Sequence, residues 1–180
     1  MIGRYITQDP IGLDGGLSLY TYPLNTVTNI DPLGLSTMII ENGPVPDNPF
    51  GHGAAANRYG LMSSGTGDKI GSSVTDYFKK MQPRRNSWVW IVDTTDEQEK
   101  CMINKAKDIE KSQEKLGIAL DNCFSRTNQI FEACGYSNPV MNTNSPISIQ
   151  VLGELYGSHK YVLEKGPFTK LPFEFQVEGK

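Results

Sequence analysis

Cysteine and histidine are the residues through which this chain could carry out nucleophilic catalysis, and both are scarce, with 3 cysteines and 2 histidines among 180 residues. Cys123 opens the stretch "DNCFSRTNQIFEACG", residues 121–135. Asp121 or Asn122 can cap a helix at that point, and Gly135 can end it. Phe124, Thr127, Phe131 and Cys134 recur at helical spacing and make one apolar stripe, so Cys134 is expected in a core. Cys123 falls in the first turn, where unpaired backbone N–H groups and the helix dipole favour a thiolate. A thiolate nucleophile needs a base to hold or move its proton. His52 precedes small residues on an expected strand. His159, in "GELYGSHKYV", follows a Gly-Ser turn and is expected to be exposed. His52 is therefore the preferred partner. The competing reading is a satisfied core histidine and an inert cysteine. Asn122 and Arg126 flank the nucleophile as candidate substrate contacts, and Arg126 is equally placed to pair with Asp121.

Several elements must position this pair. "GHGAAANRYGLMSSGTG" (51–67) predicts a hairpin, with His52 on its first strand and Ser63 or Ser64 on its second. "GSSVTDYFKKM" (71–81) predicts a short helix capped by Ser72 or Ser73 and stopped by Pro83. "SWVWIVDTT" (87–95) predicts a buried strand, with Trp88 and Trp90 on one face as core residues. "TTDEQEKCMINKAKDIEKSQEKLG" (94–117) predicts a helix opened by a capping box, Thr94 with Glu97 or Thr95 with Gln98. Its narrow apolar face carries Met102, Ala106 and Ile109, with Cys101 at the core edge. "STMIIENGPVPDNPF" (36–50) is read as a linker that follows a short apolar strand. After Pro139, "SPISIQVLGELYG" and "HKYVLEKGPFTKLPFEFQ" alternate like edge strands or a covering arm.

Composition narrows the function classes. A net charge of -3 and a pI near 5.4 give no electrostatic footprint for nucleic acid, which is not expected as a partner. No apolar run reaches the ~20 residues of a membrane span, so stable membrane insertion is not expected. "MIGRYITQDP" lacks the basic start and apolar core of a signal peptide. The chain is thus expected to be made in the cytoplasm and exported by another route. An odd set of cysteines without a C-x-x-C pair suggests neither a disulfide framework nor a zinc site. No cofactor and no metal is expected.

Residues 1–35 differ from the rest, being rich in Gly, Pro, Asp and Tyr. Within them "DPIGL" (9–13) recurs as "DPLGL" (31–35). Together with Gly3-Arg4-Tyr5 and Asn25, these motifs closely resemble the end of the core domain of Rhs and YD-repeat proteins. In that family the segment plugs a β-cocoon shell around a C-terminal toxin, and the chain cuts itself after the second motif. The resemblance implies a scissile bond at Leu35–Ser36, with Asp9 and Asp31 as the paired carboxylates of self-cleavage. Two close carboxylates can share a proton as acid and base. The alternative for both is simple turn chemistry.

Residues 48–135 resemble toxin domains at the ends of Rhs proteins. The shared pieces are "NPFGH" (48–52), Ser63 to Gly67, "GSSVTDY" (71–77), "TTDEQE" (94–99) and "DNCFSRT" (121–127). A strand-borne histidine followed much later by a cysteine at a helix start is the order of circularly permuted papain-like, NlpC-type hydrolases. The resemblance implies an α+β fold, with a small antiparallel sheet carrying the histidine and packed against helices. It implies residues 51–180 as the toxin domain, catalytic in 51–135, with 136–180 as added strands or an arm. Cys123 is then the nucleophile and His52 the general base and acid. The Cys123 backbone N–H forms part of the oxyanion hole. Many permuted relatives orient the imidazole with a second histidine, absent here. Ser63 is expected in that role, with Ser64 next and a backbone carbonyl as a further option.

The function expected is that of an interbacterial toxin cleaving amides by acyl-enzyme chemistry, with cell-wall peptides as the favoured substrate. A protease, a glutamine deamidase or a lipid acyltransferase would use the same thiolate. A reading of another class is a non-enzymatic Rhs remnant that binds an immunity protein. A nuclease would want a metal-binding cluster or a basic surface. Expected partners are a cognate immunity protein and, in a full-length parent, the Rhs shell. Delivery is expected by a type VI-like route, into the periplasm of a target bacterium.

Overall fold

The computed structural model describes residues 35–112, 122–140, 145–168 and 171. Its centre is a five-stranded sheet, antiparallel throughout, built from β1 (Ser36–Asn42), β2 (His52–Asn57), β3 (Gly60–Ser63), β4 (Ser87–Asp93) and β5 (Gly157–Leu163) in the order β3-β2-β1-β4-β5. Four helices cover it: α1 (Val74–Met81), α2 (Asp96–Ser112), α3 (Cys123–Ala133) and α4 (Pro146–Tyr156). The fold is α+β, as expected.

Strand alternation sorts the core into two layers. Ile39, Ala55, Met62, Trp90 and Val92 face α2, α3 and α4, where they meet Met102, Phe124, Phe131, Ile149 and Leu152. Met38, Ile40, Ala54, Leu61, Val89 and Ile91 face the other way and are closed by Val74, Tyr77, Phe78 and Met81 of α1. A sheet covered on both faces needs apolar residues at successive positions of its middle strand. "TMII" supplies them, and these four residues are fully buried.

That placement changes the reading of residues 36–50. Ser36–Asn42 does not open a tether to a domain beginning at residue 51, because β1 pairs with β2 on one side and β4 on the other. Only the proline-rich stretch after Asn42 connects elements. A second correction concerns "SPISIQVLGELYG", expected as an edge strand or a covering arm: it covers the sheet, but as a helix. Pro146 takes the first helical position of α4, where its missing N–H costs nothing. Ile149 and Leu152, one turn apart, are buried on the sheet. Gly153 lets that helix touch the strand beneath, since a Cβ there would lie 2.4 Å from the Trp90 indole. Residues 157–163 do form the edge strand β5.

The other helices follow their local signals. Ser73 caps α1 by accepting from the Asp76 N–H. Thr95 and Gln98 bond reciprocally at the head of α2. In α3 the expected stripe of Phe124, Thr127, Phe131 and Cys134 is buried.

The cysteine inventory is also corrected. Cys101 on α2 and Cys134, just beyond the last turn of α3, form a disulfide with Cα atoms 5.8 Å apart, leaving Cys123 as the free cysteine. The α2–α3 seam brings together two residues 33 positions apart. A core role for each cysteine separately missed that they face one another.

Among the described residues no helix is long and apolar enough to cross a membrane, and no cluster of His, Cys, Asp or Glu could hold a metal ion. Asp9, Asp31 and Asp121 lie outside the described residues. Leu35 and Ser36 sit at the entry to β1, where the Leu35 carbonyl accepts from the Thr94 N–H at 2.8 Å.

Candidate functional site

The site forms where three strands end together. Asn42, the last residue of β1, is in register with His52 at the start of β2 and with Ser87 at the start of β4. Asn42 Nδ2 donates to the Tyr77 hydroxyl of α1 at 2.7 Å and to the His52 carbonyl at 3.3 Å. The Ser87 hydroxyl donates to Asn42 Oδ1 at 2.7 Å. This buried polar row fixes the backbone from which His52 projects.

His52 is 4% exposed, and its Nε2 lies 2.8 Å from Ser63 Oγ. Ser63 in turn lies 3.0 Å from Thr66 Oγ1. The hairpin causes this contact, because Ser63 is in register with Ala54, two residues beyond His52 and on the same face. Ser64 lies one residue past the end of β3. With Nε2 donating to Ser63, the neutral tautomer leaves its lone pair on Nδ1. Burial, with the Arg85 charge adding to it, pushes the His52 pKa down to about 4. The imidazole is therefore neutral at neutral pH, and a weaker base than an ordinary histidine.

Cys123 arrives from the opposite face of the sheet. Asn122 caps α3 by accepting the Phe124 and Ser125 N–H groups at 2.9 and 3.1 Å, and the Ser125 hydroxyl accepts from the Asn122 N–H at 2.9 Å. This closed box places the N-cap one residue before the cysteine, so that α3 starts at Cys123 itself. The Gly53 N–H then donates to Cys123 Sγ at 3.4 Å. Gly53 follows His52 directly, so one strand holds the imidazole and touches the sulfur. The glycine is what permits the approach, since a Cβ on residue 53 would stand 2.7 Å from the Phe124 ring.

The electrostatics of the thiol differ from the expected preformed thiolate. Burial pushes the Cys123 pKa up, against the opposing pull of the Gly53, Phe124 and Cys123 N–H groups and of Arg85. Desolvation outweighs the helix terminus here. The site thus holds a thiol and a neutral imidazole at rest.

Arg126 lies half-buried on the second turn of α3. His159 is exposed on β5, and Trp90 is buried in the core against α4. Beyond the expected residues, the site contains Gly53, Asn42, Tyr77, Thr66 and Arg85. For Gly53 the "GHG" triplet is a signal, since a glycine beside a candidate histidine marks a close approach. Arg85 had no local signal; it follows α1 and reaches the site only through the fold.

A cavity of about 540 Å³ opens on His52, with Thr66, Met81, Arg84 and Arg85 among its walls.

No family model and no solved structure matches the chain. Its N-terminal 35 or so residues do have relatives. They are similar to the uncharacterized Escherichia coli K12 proteins YlbH, 82% identical over 34 residues, and YibJ, 69% identical over 35. They are also similar to double-stranded DNA deaminase toxin A of Burkholderia cenocepacia H111, 54% identical over 35 residues. Each match covers 19% of this chain, and 14%, 15% and 2% of those three proteins in turn. The chain therefore carries a segment also found in a toxin. The similarity stops short of the sheet and helices that hold His52 and Cys123.

Proposed function

We propose that the chain is an interbacterial toxin whose C-terminal domain is a thiol-dependent amide hydrolase. The observation that carries this reading is the Gly53 N–H bonded to Cys123 Sγ, on the strand where His52 is held by Ser63. An acyl-transfer site needs a nucleophile, a base and an orienting group, and α3, β2 and β3 bring Cys123, His52 and Ser63 to one end of the sheet as candidates for these roles. A histidine on a sheet edge strand pair and a cysteine at a helix start also agree with a permuted papain-like, NlpC-type arrangement. The N-terminal likeness to a toxin supports the biological role.

In this mechanism His52 Nδ1 takes the thiol proton as Cys123 Sγ attacks the acyl carbon. The Nε2–H stays on Ser63 and fixes the ring. The Gly53 N–H stabilises charge on sulfur as it develops. The Cys123 N–H, at the open helix terminus, faces the oxyanion of the tetrahedral intermediate. His52 then protonates the departing amine, and the acyl group remains on sulfur as a thioester. Water, deprotonated by His52, releases the carboxylic acid and restores the thiol. The preferred substrates are cell-wall peptides, with protein amides or lipid acyl groups as alternatives. The roles proposed for Asn122 and Arg126 are contacts to the substrate beside the nucleophile. A cognate immunity protein and delivery by a type VI-like route into the periplasm complete the reading. Cleavage at Leu35–Ser36 through Asp9 and Asp31 would free the domain from a larger parent.

The test is incubation of the protein with purified peptidoglycan, with new amino and carboxyl termini located by mass spectrometry. Cys123→Ala and His52→Ala serve as controls. Cleavage that disappears in both variants supports the reading. Cleavage that survives Cys123→Ala would sink the nucleophile assignment. A chain inert on cell wall, protein and acyl substrates that still binds an immunity protein would favour the non-enzymatic remnant.

A further inference from the structure

Arg85 is 6% exposed, and its Nε and Nη1 are buried without a hydrogen-bond partner. A buried guanidinium in that state is costly, because these two nitrogens have lost water and gained no hydrogen bond in return. Its neighbours on the cavity wall are different. Lys80 is paired with Asp68 at 2.6 Å, and Arg84 with Asp47 at 2.6 Å. Those two pairs cancel. Arg85 is left, among the described residues lining the cavity, as the one cation without a carboxylate. The cavity beside His52 thus holds one guanidinium outside any ion pair, a group built to bind planar oxyanions, with Asp47 acting on it only at longer range.

We infer that Arg85 anchors a carboxylate of the substrate in this cavity, which makes the enzyme selective for acyl compounds carrying a free acid near the scissile amide. The inference deepens the hydrolase reading and rests on it. One net charge suits a carboxylate monoanion better than a phosphate dianion. An anion bound there also removes a positive field from the imidazole, so His52 becomes a stronger base when the correct substrate is present. Arg85 is in this sense both a binding residue and a means of tying basicity to occupancy.

The test uses full-length Cys123→Ser, which cannot turn over by the proposed route, and follows the imidazole of His52 by NMR. Only one other histidine, the exposed His159, shares that spectrum. The probes are N-acetylglycine, its neutral amide N-acetylglycinamide, and inorganic phosphate. The acid is expected to shift the His52 signals saturably and to raise the titration midpoint of the ring. The amide should bind at least tenfold more weakly. In Arg85→Gln and Arg85→Met the preference for the acid should vanish, and the His52 midpoint should already be raised without ligand. The melting temperature of both variants should equal or exceed that of the parent, since a buried unpaired charge has been removed. Equal binding of acid and amide, tighter binding of phosphate, or a marked fall in melting temperature in both variants would overturn the inference. Because binding is read without turnover, a Cys123–His52 pair that fails as a catalyst leaves this test standing. A pair that works while N-acetylglycine fails to bind sinks the anchor alone.

Discussion

The two ends of α3 carry the same residue type in opposite chemical states. Cys134, at the C-terminal end, is bonded to Cys101 of α2. Cys123, at the N-terminal end, is a free thiol touched by the Gly53 N–H. The helix does not decide between these fates; the neighbouring element does. α2 offers the far end a second sulfur, whereas β2 offers the near end the Gly53 backbone donor, next to His52 in the chain. One helix is thus stapled at one end and, in the proposed mechanism, reactive at the other.

Four experiments probe this contrast, in decreasing order of expected effect. Cys123→Ala should lower amide hydrolysis by about 10⁴-fold or more, while Cys134→Ala should leave turnover within a few-fold. Steady-state kinetics on one substrate would check both, and equal losses would erase the distinction between the two ends. Next, reducing the disulfide, or replacing both partners by alanine, should cost about 3–4 kcal/mol of stability for a closed loop of 33 residues. Urea unfolding with and without reductant measures it, and Cys123→Ala should not show the difference.

The third experiment concerns acid. His52 has its pKa depressed from an ordinary 6.5 to about 4. Below pH 6.5 the unfolded chain takes up a proton that the folded imidazole refuses, so stability falls as pH falls. The loss accumulates to about 3 kcal/mol by pH 4 and then levels off. His52→Gln should lose this part of the slope when unfolding is followed from pH 7 to 4. An unchanged slope would mean that the imidazole protonates freely in the fold. Last, Ser63→Ala removes one neutral hydrogen bond worth about 1 kcal/mol, so kcat should fall roughly five- to tenfold with KM little changed. An equal loss in Ser64→Ala would shift the orienting role away from the 2.8 Å contact.

Much of α3 was legible because its signals are local. An N-cap, a stripe at helical spacing and a terminal glycine lie within 15 residues, and the expected hairpin likewise brings Ser63 or Ser64 beside His52. α4 was not legible in the same way. "SPISIQVLGELYG" alternates well enough to suggest a strand, and what makes it a helix is tertiary: Gly153 against the Trp90 ring and Ile149 and Leu152 on the sheet. β1 was seen as an apolar strand, yet its central position depends on pairing with β4, far along the chain. Cys101 and Cys134 could not be paired from spacing, because their meeting is a property of the α2–α3 seam. The state of Cys123 was missed for a related reason. A helix terminus can be read from sequence, but the depth at which it is buried cannot, and here depth outweighs the dipole.

The first of the described strands is also the middle one. A force applied at residue 35 would load two hydrogen-bonded ladders at once, β1–β2 and β1–β4. If β1 gives way, the sheet parts into the hairpin β2–β3 and the pair β4–β5, with no ladder joining them. Unravelling from that end is therefore expected to be a single mechanical rupture, not a gradual peeling. A machine that draws the polypeptide in from residue 35 should meet both β1 ladders at once and the Cys101–Cys134 bond later.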